Sequence, residues 1–222
     1  MPQTVLSPTE ARVLAALVEK SHTTPQYYPM STHALMLAAN QKTCRNPVMN
    51  LTEGETGAAL NRLESEQLVA RDDLSGRVTK WRHQFQHQFL LQPGPLAVLV
   101  TLMLRGPQTL SELRANAAGI GGPADAPGIE AALRDLSDRA QPLVTLLPRA
   151  PGQKEARYAH LVCGAPPASA PAPTAPRGSA AAASVPSANP DLEQRVRALE
   201  QRVAQLEQQL AANTADSGAA ST

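Results

Sequence analysis

The chain has 222 residues, a formal net charge of +1 and two cysteines. This length fits one or two compact domains, and the near-zero charge excludes a global attraction to nucleic acid or membranes. Cys44 and Cys163 are too few and too far apart for a disulfide framework. No apolar run approaches the ~18 residues of a membrane span, and the start lacks the pattern of a secretory signal. We therefore expect a cytoplasmic protein that does not contact membranes.

In chain order, one pattern of predicted elements occurs twice. In the first copy, Ser7, Ser31 and Thr52 are placed to cap three helices, the second over 32–39 and the third running to about Gln67. In the second copy, a helix begins near Pro93, another after Thr109 or Ser111, and a third at Gly128. Each third helix precedes two β-like runs that are separated by a turn, and these lie at 68–71 and 77–81, then at 143–147 and 156–160.

The repeated order of three helices followed by strand, turn and strand is that of the winged-helix form of the helix-turn-helix. We predict a mainly α fold with small β-hairpins (α+β), consisting of two tandem winged-helix domains, an Ala/Pro linker and a C-terminal coiled-coil helix. The predicted boundaries are 1–90 and 91–164 for the two domains, 165–190 for a disordered linker, 191–212 for the coiled coil and 213–222 for a disordered tail.

A winged helix offers its third helix and its hairpin to DNA. Phosphate contacts require Lys or Arg, and amides read base edges. The candidate nucleic-acid-binding residues are Lys42, Arg45, Asn61, Arg62, Arg71, Arg77, Lys80 and Arg82. Two alternatives stay open. The third helix, 53–67, carries four acids beside Arg62, which is equally consistent with a solvated structural face. The hairpin cations are also what strand edges carry to prevent aggregation.

The connector between the second and third helices, 40–50, is much longer than the three or four residues of an ordinary helix-turn-helix. It is rich in amides and includes Lys42 and Arg45. Long polar loops between rigid helices often carry binding function. The alternative is an insertion that amide-to-backbone hydrogen bonds hold in place.

Several sequence strings resemble the YceH-like family of uncharacterised bacterial proteins over about 5–164. They include Glu10–Val13, Glu19-Lys20, Thr23–Pro25, Tyr28–Ser31, 40–43, 46–51, 76–80, 102–109 and 112–114. The resemblance implies two tandem winged-helix domains and no known activity. Relatives more often carry a polar residue where this chain has Cys44, which argues against an essential thiol there.

No set of residues predicts an enzyme. His83 and His87 have helical metal-binding spacing, but they follow a predicted strand and lack further ligands. Cys44 has His22 or His33 as a potential base, without an orienting partner or an oxyanion hole. We expect no catalysis, no metal and no cofactor.

The C-terminal segment has a heptad pattern. Apolar residues recur at spacings of 4, 3, 4, 3 and 4, at Leu192, Val196, Leu199, Val203, Leu206 and Leu210. Val at a and Leu at d favour a parallel two-stranded coil, so we expect a weak homodimer through this helix. The alternative is a single amphipathic helix that packs back on the body.

Two functions are consistent with these features. The first is a non-enzymatic DNA-binding protein of transcription-regulator type that contacts double-stranded DNA. The second is a protein–protein scaffold that uses winged helices without DNA, because a fold alone does not determine function.

Overall fold

The computed structural model describes residues 5–72, 78–149 and 153–166, all of which belong to one compact unit. The fold is mixed α+β with small antiparallel sheets, as predicted. The helices in these ranges are α1 Pro8–Thr23, α2 Thr32–Ala39, α3 Glu53–Ser65, α4 Phe85–Gln88, α5 Pro93–Arg105, α6 Leu110–Ala117 and α7 Ala126–Ser137. The strands are β1 Met30–Ser31, β2 Val69–Asp72, β3 Lys80–His83, β4 Val144–Leu147 and β5 Arg157–His160.

Side-chain caps define the starts of the helices. The side chains of Ser7, Thr52 and Thr109 each accept a hydrogen bond from the backbone N–H three residues later. The glutamate at that later position in turn accepts a hydrogen bond from the backbone N–H of the capping residue. Ser31 caps α2, as the sequence predicts. The predicted start of α7 at Gly128 is wrong. That helix begins at Ala126, because Pro127 is suited to the first turn.

The two copies of the repeat form similar sheets. In the first copy, β3 lies between β1 and β2, with Trp81 opposite both Met30 and Arg71. In the second copy, β4 pairs with β5, and a single bridge joins Gln108 to Tyr158. Both copies therefore place a short extended segment directly before the second helix and pair it with the last strand. The two-residue strand β1 escaped prediction because it is too short to show an alternating pattern.

The helices α1 and α5 are the centres of the two copies, and they pack against each other. The residues from Ala11 to Val18 in α1 and from Leu96 to Leu104 in α5 are all buried. A helix that is buried on every side must be surrounded by other elements. The buried side chains form one continuous cluster across both copies, and the backbone N–H of Leu6 donates to the carbonyl of Val162 at 2.9 Å. The two copies thus share a hydrophobic core.

The winged-helix assignment and the domain boundary at residue 90 stay predictions. The predicted linker beyond Pro166, the coiled coil and the tail lie outside the described residues. Within the described ranges, none of the helices has both the length and the apolar character needed to cross a bilayer.

Candidate functional site

Of the eight predicted nucleic-acid-binding residues, Arg77 lies outside the described residues. The other seven are distributed over the 40–52 loop, α3 and the β2–β3 hairpin. Their hydrogen bonds and ion pairs show which of the cations are available to an external phosphate.

Arg45 is not available, and its prediction as a phosphate-contacting residue is corrected by the structure. Its side chain has no exposed surface and forms a two-point ion pair with Glu19, with Nη2 at 2.6 Å from Oε2 and Nη1 at 3.1 Å from Oε1. Its Nε and Nη2 also donate to the carbonyl of Ala38. Arg45 is a buried internal cation that joins the loop to α1 and α2.

Arg71 and Asn61 interact with each other rather than presenting free groups. The Arg71 guanidinium lies over the ring of Trp81 at 5.2 Å from the centroid, and its Nη2 is 3.0 Å from Oε2 of Glu64. The same nitrogen donates to Oδ1 of Asn61 at 3.3 Å. Because Arg71 and Trp81 are directly opposite in the sheet, both side chains lie on the same face. Arg71 therefore covers the buried Trp81.

Two further cations are paired with acids. Arg82 Nε lies 3.0 Å from Oδ1 of Asp72, and Arg62 Nη2 lies 2.9 Å from Oε1 of Glu66. In the part of the chain that the structure describes, Lys42 and Lys80 form no ion pair. Of the predicted cations that the structure describes, these two lysines are therefore the ones that an external phosphate could contact without breaking an ion pair.

The 40–52 loop is held by amide-to-backbone hydrogen bonds, which is the second of the two alternatives. The Asn40 side chain exchanges two hydrogen bonds with the backbone of Leu51, both of 2.8 Å. The N–H of Asn46 donates to the carbonyl of Leu104 at 2.8 Å, and its Nδ2 donates to that of Arg105 at 3.2 Å. These bonds satisfy carbonyls at the end of α5 that lack helical partners. A Cβ at Gly106, where φ is +72°, would lie 3.2 Å from Nδ2 of Asn46.

A groove beside the β1–β3 pair is an exposed feature that sequence reasoning missed. It has a volume of about 500 Å³, and its lining includes Lys20, Tyr27, Leu37 and Lys80. Tyr27 is 72% exposed and Leu37 is 56% exposed. Lys20 has Glu19 at 3.5 Å, whereas Lys80 forms no ion pair among the described residues, although Asp72 lies opposite it in the sheet. No periodic pattern revealed the groove, because its residues come from α1, β1, α2, β3 and the segments that connect them.

His83 is half-buried and has a structural role. Its Nε2 lies 3.2 Å from Oγ of Ser21, and its backbone N–H donates to the hydroxyl of Tyr28 at 2.8 Å. Burial lowers the pKa of His83 to about 4, with smaller contributions from His22 and His87, and it also raises the pKa of Tyr28. Among the described residues, no group of three His, Cys, Asp or Glu side chains is arranged to hold a metal. Cys44 is exposed, and the predicted dimerisation residues lie outside the described residues.

The geometry defines a class of α+β protein in which two copies of one helical and hairpin unit share a core. Residues 6–153 match the family model described as "Protein of unknown function, DUF480". The chain is also 52% identical over 160 residues to a UPF0502 protein of Pelobacter propionicus, covering 72% of this chain and 73% of the relative. UPF0502 proteins of Burkholderia orbicola and Geotalea daltonii are each 48% identical to this chain. Both matches span 72% of this chain, and they span 67% of the Burkholderia protein and 74% of the Geotalea protein. The chain therefore belongs to the DUF480/UPF0502 family of uncharacterised bacterial proteins, which confirms the predicted resemblance.

Proposed function

We propose that the protein is a cytoplasmic, non-enzymatic winged-helix module that binds a protein partner and makes little contact with duplex DNA. The observation that carries this proposal is the internal pairing of the predicted phosphate-binding cations. Arg45, Arg62, Arg71 and Arg82 each have an acidic partner within 3.0 Å. A cation that is already paired gains less from a phosphate, because it must first give up its carboxylate.

The exposed face of α3 supports the same proposal. Glu53, Glu55 and Glu64 are on this helix, and Glu66 follows its last turn. In a winged helix bound to DNA, the third helix enters the major groove between two rows of phosphates. Glu64 and Glu66 are neutralised by Arg71 and Arg62, so Glu53 and Glu55 in the first turn are the carboxylates that would oppose that approach through like-charge repulsion.

The groove with Tyr27 and Leu37 is the surface that best fits a protein partner. It combines two exposed apolar side chains with Lys20 and Lys80 at its lining. Aromatic residues are enriched in protein interfaces. Such interfaces usually have an apolar centre surrounded by a polar rim. The complementary partner is a segment that carries apolar and acidic side chains.

Site-specific photo-crosslinking in cells tests this proposal. A photoreactive phenylalanine analogue at position 27 or 37 should give a discrete cross-linked protein, because both side chains would be covered by the partner. The analogue at position 48 or 146 is the matched control, since Val48 and Leu146 are 57% and 53% exposed and lie outside the groove. Equal cross-linking at all four positions would contradict a partner surface at the groove.

Double-stranded DNA binding is the second candidate, and the unpaired Lys42 and Lys80 favour it together with the predicted contribution of Arg77. A salt series with random duplex DNA distinguishes the two functions, because phosphate contacts make affinity fall steeply with salt. Under the protein-partner proposal, we expect no saturable binding tighter than about 100 μM at physiological salt. Salt-sensitive binding that is lost in Lys42→Glu/Lys80→Glu and kept in the control Lys154→Glu would support DNA binding instead.

We also propose that the protein is a homodimer through the heptad residues Leu192, Val196, Leu199, Val203, Leu206 and Leu210. A charged residue at a d position removes apolar contact from the seam of a coiled coil. We therefore expect light scattering to give a dimer mass for the full chain at high concentration and a monomer mass for Leu199→Lys. The control Gln201→Lys, at a position outside the a and d set, should stay dimeric, and identical masses for all three proteins would contradict the proposal.

A further inference from the structure

A cavity of about 450 Å³ lies where the first copy of the repeat meets the second. We call it the inter-repeat cavity, and it is lined by residues that include Arg12, Pro47, Met49, Met103, His160 and Cys163. Its volume falls in the range of pockets that bind small molecules, and most of such a pocket is ordinarily apolar with a few polar groups that fix orientation. Pro47, Met49 and Met103 supply the apolar wall. The cavity therefore has the size and composition of a small-molecule site.

Arg12 is the polar group that this cavity leaves incompletely satisfied. It is only 2% exposed, and its Nη2 donates to the carbonyl of Pro47 at 2.8 Å. Its Nε and Nη1 are buried and have no hydrogen-bond partner in the described structure. A buried guanidinium that lacks partners is costly, and the contact with Pro47 accounts for only one of its three nitrogens.

Arg12 stays positively charged at neutral pH although its surroundings disfavour the charge. Burial and the nearby Arg45 lower its pKa to about 10, while Glu19 acts in the opposite direction. The guanidinium therefore stays protonated at neutral pH. Because Glu19 already forms the two-point ion pair with Arg45, it does not supply the hydrogen bonds that Arg12 lacks.

His160 and Cys163, which also line the cavity, do not carry charge at neutral pH. Burial lowers the pKa of His160 to about 4, and its Nδ1 is buried without a partner in the described residues. Burial raises the pKa of Cys163 to about 11, with a smaller contribution from Glu10, so the thiol is not an activated nucleophile. The site thus offers one cation, one neutral imidazole and an apolar wall, which suits binding rather than reaction.

We propose that the inter-repeat cavity binds a small organic monocarboxylate with a short apolar chain. The carboxylate pairs with the Arg12 guanidinium, which lines the cavity and turns its unpartnered Nε–H and Nη1–H groups toward the ligand on binding, because both nitrogens are closed to solvent in the unliganded structure. The chain contacts Met49 and Met103. A single guanidinium balances a single negative charge, and charge-assisted hydrogen bonds to a carboxylate are the strong ones available to arginine. The apolar wall favours this ligand over an inorganic anion. This inference does not depend on the proposed function.

Titration with hexanoate, followed by two-dimensional ¹H–¹⁵N NMR of the arginine Nε–H groups, tests the proposal directly. We expect a saturable shift of the Arg12 Nε–H resonance with a millimolar or tighter Kd. Hexanol, which has the same chain without the charge, should give no saturable shift at equal concentration. Inorganic phosphate should give none either, and an equal shift with phosphate or hexanol would overturn the proposal.

Two variants separate binding from folding. Arg12→Met should weaken hexanoate affinity at least tenfold, as measured by calorimetry, because the charge is lost while the side-chain bulk remains. Arg139→Met is the matched control, since the Nε of Arg139 is also buried without a partner but lies outside the cavity. Met49→Trp keeps Arg12 and fills the cavity, so it should abolish binding even if Arg12→Met does not fold. Unchanged affinity in Met49→Trp, or no saturable shift in the wild-type protein, would overturn the assignment.

Discussion

Replacing Glu19 with glutamine is expected to lower the free energy of unfolding by about 3–5 kcal/mol. Glu19 is the acidic partner of Arg45, whose side chain has no exposed surface. The substitution leaves a buried guanidinium without a counter-charge, and the loss is large because water cannot reach the site to solvate it. Urea denaturation of the full chain measures this difference.

Two comparisons show whether this loss comes from the buried charge. Glu53→Gln makes the same chemical change at an exposed pair with His33, and it should cost less than about 1 kcal/mol. Arg45→Met combined with Glu19→Gln should be more stable than Glu19→Gln alone, because the uncompensated charge is then absent. A loss below about 1 kcal/mol for Glu19→Gln would show that Arg45 is not held as the structure describes.

The stability of the protein is expected to fall steeply as the pH decreases from about 6.5 to about 4. Burial lowers the pKa of both His83 and His160 from 6.5 to about 4. In this window the unfolded chain therefore binds more protons than the folded protein, and acid favours unfolding. Because each pKa unit corresponds to 1.36 kcal/mol, each histidine contributes on the order of 3 kcal/mol of destabilisation once the pH is below 4.

Urea denaturation at a series of pH values measures this dependence. His83→Gln and His160→Gln remove the titrating groups, and each variant should flatten the curve between pH 6.5 and 4. Glutamine at position 83 keeps a polar atom near Oγ of Ser21, which bonds to Nε2 of the native imidazole. If the double variant lost stability with acid as steeply as the wild-type protein, the two imidazoles would not be the cause.

Local features of the fold were readable from the sequence because their causes are local. Capping residues, prolines in first turns and short β-like runs act within a few residues, and the structure has helices and strands close to the positions that they predicted. The helix α7 begins two residues before its predicted start, and the short elements β1 and α4 were not predicted.

The candidate site was less predictable because its properties depend on contacts between distant residues. The sequence shows that Arg45 is charged, but it does not show that Glu19, 26 residues earlier, is its partner. Arg82 and Asp72 become neighbours only when β2 and β3 pair. The Asn46 side chain likewise donates to the carbonyl of Arg105, which lies 59 positions later in the chain. Charge at a position is a local property, whereas availability of that charge is set by the tertiary structure.

The mutual burial of α1 and α5 makes the two copies an obligate pair. Each of these helices is covered partly by the other copy. A chain shortened to either half would therefore expose a broad hydrophobic surface to solvent. We therefore expect the two copies to fold together, because destabilising one removes part of the hydrophobic cover from the other.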